Sequence, residues 1–82
     1  MTLGEVYDAL TVILRDVFDD ETVVASPELS AKDVPQWDSF NHINIVAAAE
    51  MRFGVKFRTS EIEGLRNVGE FAALIQRKRN SA

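Results

Sequence analysis

The chain contains no cysteine, so neither disulfides nor cysteine-ligated metals reinforce it, and any thioester chemistry would have to borrow a thiol from a prosthetic group. Proline is scarce, and both copies, Pro27 and Pro35, fall within residues 19–37. There is one histidine, His42, and without an identifiable nucleophile or second base it makes no catalytic set, which argues against a hydrolytic enzyme. No apolar run approaches the ~20 residues that cross a bilayer, and the N-terminus lacks the layout of a signal peptide. A cytoplasmic protein without membrane insertion is expected. Internal repeats and low-complexity segments are absent as well.

What is present suits a small folded domain. Eighty-two residues with 46% hydrophobic content are too apolar for a disordered chain, yet near the size at which one core is only just sufficient. The net charge of −4 is unevenly spread. Residues 1–38 hold nine acidic and two basic side chains, whereas residues 39–82 hold four acidic and seven basic. An acidic domain repels nucleic acid and favours basic partner surfaces. The short run Arg77-Lys78-Arg79 reads as the positive end of a helix rather than a nucleic-acid face. Asp19-Asp20-Glu21 has no EF-hand spacing and reads as a solvated loop, so no metal site is expected.

Hydrophobic spacing predicts helices throughout. Leu3, Val6, Tyr7, Leu10, Ile13, Leu14, Val17 and Phe18 follow the 3.6-residue rhythm of one buried face, and Thr2 and Glu5 have the spacing of a capping box. Residues 19–37 form a long connection whose expected anchors are Val23, Val24, Leu29, Val34 and Trp37. Asp38 stands where an N-cap should stand before a helix over 39–53, and Gly54 follows as its C-cap. Ser60 with Glu63 predicts a brief helix ending near Gly64, and Asn67 with Glu70 predicts a last helix running through Val68, Phe71, Ala72, Leu74 and Ile75. The fold class is all-α: a four-helix bundle of three main helices and one short one, with a long loop between the first and second. Residues 1–82 are expected to make a single domain and a monomer.

The helix over 39–53 carries two apolar stripes. His42, Ile45, Val46, Ala49 and Phe53 fall on one side, and Phe40, Ile43, Ala47 and Met51 fall roughly opposite. Periodicity alone leaves open which stripe faces inward, and the loop 19–37 could cover the other. An uncovered Phe-Ile-Ala-Met row has the i, i+3, i+7, i+11 spacing read by grooves that bind helices. Ala49 could leave space for cargo, although close packing favours its neighbours filling the gap.

Asp38-Ser39-Phe40 opens this helix, and a serine there lies beside free backbone amides and the positive end of the helix dipole, a setting that suits phosphate. Trp37-Asp38-Ser39-Phe40-Asn41-His42-Ile43, followed by Glu50-Met51-Arg52-Phe53-Gly54-Val55-Lys56-Phe57, resembles the signature of the acyl carrier protein family. In that family an Asp-Ser-Leu-like triplet starts the second helix, which ends in an acidic stretch and Phe-Gly. The order of helices and the interval from Ser39 to Phe53-Gly54 resemble it too.

The resemblance implies a non-catalytic carrier. A phosphopantetheinyl transferase would join 4'-phosphopantetheine from coenzyme A to Ser39, and acyl groups would ride on the arm as thioesters for acyl-loading and acyl-transferring enzymes. Asp38 would cap the helix and help the transferase position its metal ion and the serine. Phe40, Ile43, Ala47, Glu50 and Met51 would form the docking surface. Trp37 and the sparsely acidic helix depart from carriers of primary fatty-acid synthesis, which points to a specialised discrete member serving a lipid or secondary-metabolite pathway and steered less by charge. Two rivals stay open: a peptidyl or aminoacyl carrier, and a helical adaptor that needs no modification at Ser39.

Overall fold

The N-terminal helix begins where its capping residues dictate. In the computed structural model, which describes residues 1–81, α1 spans Leu3–Phe18 and both bonds of its capping box form. The Glu5 amide donates to Thr2 Oγ1 at 3.1 Å and the Thr2 amide to Glu5 Oε1 at 2.8 Å, satisfying two donors that a helix start leaves over. Asp19 ends α1 in the left-handed region with φ 52°, a conformation that aspartate tolerates better than most side chains. The remaining helices are α2 (Ser39–Phe53), α3 (Thr59–Glu63) and α4 (Val68–Ser81). All are helical and no strand occurs among the described residues, as the sequence predicts.

Packing brings α1 against both α2 and α4. Val6, Leu10 and Leu14 of α1 meet Ile45 and Phe53 of α2 and Ile75 of α4 in one buried cluster. α3 contributes no fully buried residue; its Ile62 packs partly against the cluster. The far end of α2 is held twice. Gly54 supplies the left-handed turn with φ 67°, which glycine adopts without a side-chain penalty. Arg79 reaches from α4 to donate from Nη1 to the Phe53 carbonyl at 2.9 Å, satisfying an acceptor left over at a helix end.

The long loop is ordered by bonds as well as by anchors. The amides of Val68 and Gly69, which open α4, donate to the Leu29 and Pro27 carbonyls at 2.8 and 3.1 Å. A Cβ at Gly69 would lie 3.0 Å from the Pro27 oxygen, so this close approach requires glycine. Arg15 Nε donates to the Val23 carbonyl at 2.8 Å. The Ala25 amide donates to Thr11 Oγ1 at 3.0 Å.

Three sequence expectations are corrected. Val24 is exposed rather than an anchor, and Ala25 is buried in its place; Val23, Leu29, Val34 and Trp37 do pack against the core. The start of α3 is not the Ser60–Glu63 pair. Arg58 precedes the helix, and Glu61 Oε1 accepts from the Arg58 amide at 2.8 Å; an arginine side chain has no acceptor to return the bond. At α4, Asn67 Oδ1 accepts from the Glu70 amide as expected, but the Glu70 carboxylate accepts from the Arg66 amide instead of Asn67.

Candidate functional site

The start of α2 is built by its N-cap. Asp38 takes an extended conformation and its Oδ1 accepts from the Asn41 amide at 2.8 Å. Asn41 Nδ2 in turn donates to the Gln36 carbonyl at 2.8 Å, fixing the chain where it enters the helix. Asp38 satisfies the third amide of α2, and the His42 amide reaches the Asp38 carbonyl at 2.9 Å. The amides of Ser39 and Phe40 come before the first intrahelical bond and have no acceptor among the described residues. Ser39 itself is exposed, as is Asp38. An exposed hydroxyl beside two free N–H groups at a positive helix end fits a phosphodiester.

One turn further on, the two stripes of α2 separate. Ile45, Val46, Ala49 and Phe53 are buried, and Ala49 sits fully inside the core. Phe40 is 72% exposed, Ile43 66% and Met51 87%, and Ala47 between them is exposed too. The loop 19–37 therefore packs elsewhere and leaves this row open. Glu50 is half-buried, and its Oε2 accepts from the Phe57 amide at 2.9 Å, bracing the link between α2 and α3.

A further pairing was not legible in the sequence. Trp37 Nε1 donates to His42 Nδ1 at 3.2 Å, and the two rings lie nearly parallel with centroids 6.3 Å apart. Trp37 also tilts against Phe18 of α1, centroids 5.6 Å apart. His42 is half-buried, and burial pushes its pKa below the ordinary 6.5, because a low-dielectric setting disfavours the charged ring. With Nδ1 accepting, the neutral ring carries its proton on Nε2. The only clue in the sequence was the spacing of Trp37 and His42 across a helix start. Asp20, in the acidic run after α1, accepts from the Thr22 amide and hydroxyl, so its carboxylate serves the turn.

These features define a class: a small helical bundle that presents one serine at the head of a helix with an uncovered apolar row. No family model matches the chain. The chain is 33% identical over 76 residues to the meromycolate extension acyl carrier protein of Mycolicibacterium smegmatis, covering 93% of the chain and 77% of that protein. It is also 33% identical to an acyl carrier protein of Acidothermus cellulolyticus, covering 80% and 79% of the two. A solved structure of holo acyl carrier protein from Geobacter metallireducens superposes with a TM-score of 0.87 at 41% identity, covering 93% of this chain and 87% of that one. The chain belongs to the acyl carrier protein family, whose members are carriers and not catalysts.

Proposed function

We propose that the chain is a single carrier domain of the cytoplasm, working as a monomer, with Ser39 as the point of attachment for phosphopantetheine. The observation that supports it most directly is the exposed Ser39 hydroxyl beside the unpartnered Ser39 and Phe40 amides. A phosphopantetheinyl transferase forms the Ser39 Oγ–P bond as the pyrophosphate bond of coenzyme A breaks. Adenosine bisphosphate leaves, and the hydroxyl proton passes to a base on the transferase. Asp38 holds the serine in place by capping α2, and its second carboxylate oxygen remains open to the transferase's metal ion. When bound, the group supplies a thiol on which an acyl cargo is held as a thioester.

What the chain's own residues contribute is presentation. The capped start of α2 fixes Ser39, the core under α2 keeps the helix rigid, and Phe40, Ile43, Ala47 and Met51, bordered by Glu50, offer partners an apolar row. Burying that row in a partner's groove removes apolar area from water, worth about 25 cal/mol per Å². The row carries little charge, so association depends weakly on steering. Relatives named for meromycolate extension favour a lipid-building pathway with dedicated loading and transferring enzymes.

The test is incubation of the chain with coenzyme A, Mg²⁺ and a broad-specificity transferase, followed by intact-mass measurement. The wild type is expected to gain one phosphopantetheine and Ser39→Ala none. A wild type that stays bare under conditions that modify a known carrier overturns the reading.

A further inference from the structure

Two hollows flank α2, and one residue lines both. A surface groove of about 280 Å³ runs between α2 and α3, walled by Val46, Ala47 and Ile62 with Glu50 and Thr59 among its polar residues. A smaller hollow of about 80 Å³ lies beneath Trp37, bounded by Ile45, Leu65 and Phe71. His42 lines both. It stands three residues beyond Ser39, one turn up the helix.

The imidazole is committed on one side only. Trp37 occupies Nδ1, which leaves Nε2–H as a donor with no partner among the described residues. A donor on a residue that lines a mostly apolar groove distinguishes ligands by whether they bring an acceptor. An alkyl chain laid over it displaces water and leaves the N–H unmet, whereas a chain with an oxygen satisfies it. The groove, at about 280 Å³, falls just below the roughly 300–1,000 Å³ usual for small-molecule sites, so it suits a short group. A cargo tethered to Ser39 is held at high local concentration and needs little affinity to occupy it.

We propose that His42 is a specificity-determining residue for the cargo, its Nε2–H selecting short acyl groups that carry a hydroxyl or keto oxygen over plain alkyl groups of the same length. The inference rests on Ser39 as the attachment point. Trp37 is the positioning residue, since its indole N–H holds the imidazole in the tautomer that donates toward cargo.

The full chain is loaded with hexanoyl or β-hydroxyhexanoyl from the corresponding coenzyme A thioesters by a broad-specificity transferase, and loading is checked by intact mass. Two quantities are then read: the nitrogen NMR resonance of His42 Nε2, and the hydrolysis half-life of each thioester relative to its free pantetheine counterpart. The β-hydroxyhexanoyl cargo should move the Nε2 resonance and be protected roughly three- to tenfold more than hexanoyl. His42→Leu should erase that difference, and His42→Gln, which keeps a donor, should restore part of it. Equal shifts and equal protection with the two cargoes overturn the inference, as does a difference that survives in His42→Leu. The wild-type resonance decides the matter even if a variant folds poorly. A chain that gains no mass, or gains it at a residue other than Ser39, overturns the carrier reading itself and the inference with it.

Discussion

The two sides of α2 carry nearly the same chemistry and have opposite fates. Ile45 is 1% exposed while Ile43, two residues earlier, is 66% exposed. Phe53 is sealed in the core while Phe40 stands in solvent. Residue type does not decide between them; the position of α1 and α4 does, because a bundle this small offers one helix only one side to bury against. The inner row holds the fold together, and the outer row stays exposed. An exposed apolar row of this kind is the feature on which the proposed docking role rests.

Substitutions sharpen that contrast. Phe53→Ala should destabilise the chain by about 3–5 kcal/mol, since it opens a cavity under two helices. Phe40→Ala should change stability by no more than about 0.5 kcal/mol. Urea denaturation of both variants checks the pair, and similar losses at the two positions would break the comparison. Between these extremes, Asp38→Ala should cost about 1 kcal/mol by removing the acceptor for the Asn41 amide, measured the same way.

A smaller effect follows from His42, which lies where the inner row meets the groove. Burial lowers its folded pKa below the ordinary 6.5, so the unfolded chain binds the proton more readily. Its contribution is therefore complete above 6.5 and declines as pH falls through and below that value. The carboxylates of Glu5, Asp20 and Glu61 are lowered too, by hydrogen bonds, and their contributions fade only at more acid pH. Denaturation midpoints of the wild type and His42→Gln should converge as pH is lowered from 7 toward about 5.5. A small effect is also expected at the surface pair of Lys78 and Glu61, 2.9 Å apart, where Lys78→Ala should cost under about 1 kcal/mol by thermal melting.

Much of this architecture was legible because local rules agree with one another. The Thr2–Glu5 box, the Asp38 cap and the Gly54 turn each follow from short-range chemistry, and each appears at the predicted residue. The beginning of α3 was misplaced because Ser60 and Glu63 match a capping box in sequence, whereas the helix starts from Arg58, whose side chain gives no capping signal. Val24 and Ala25 were exchanged because hydrophobicity favours valine as the anchor. In the fold, the bond from the Ala25 amide to Thr11 turns alanine toward the core. The facing of the α2 stripes and the Trp37–His42 bond depend on tertiary packing, which periodicity cannot supply.

The most direct measurement is fragmentation mass spectrometry of the chain after treatment with coenzyme A and a transferase, to locate the added group. The account predicts that the whole added mass resides on Ser39. Modification at Ser26, Ser30 or Ser60, in place of the helix-opening serine, would contradict it.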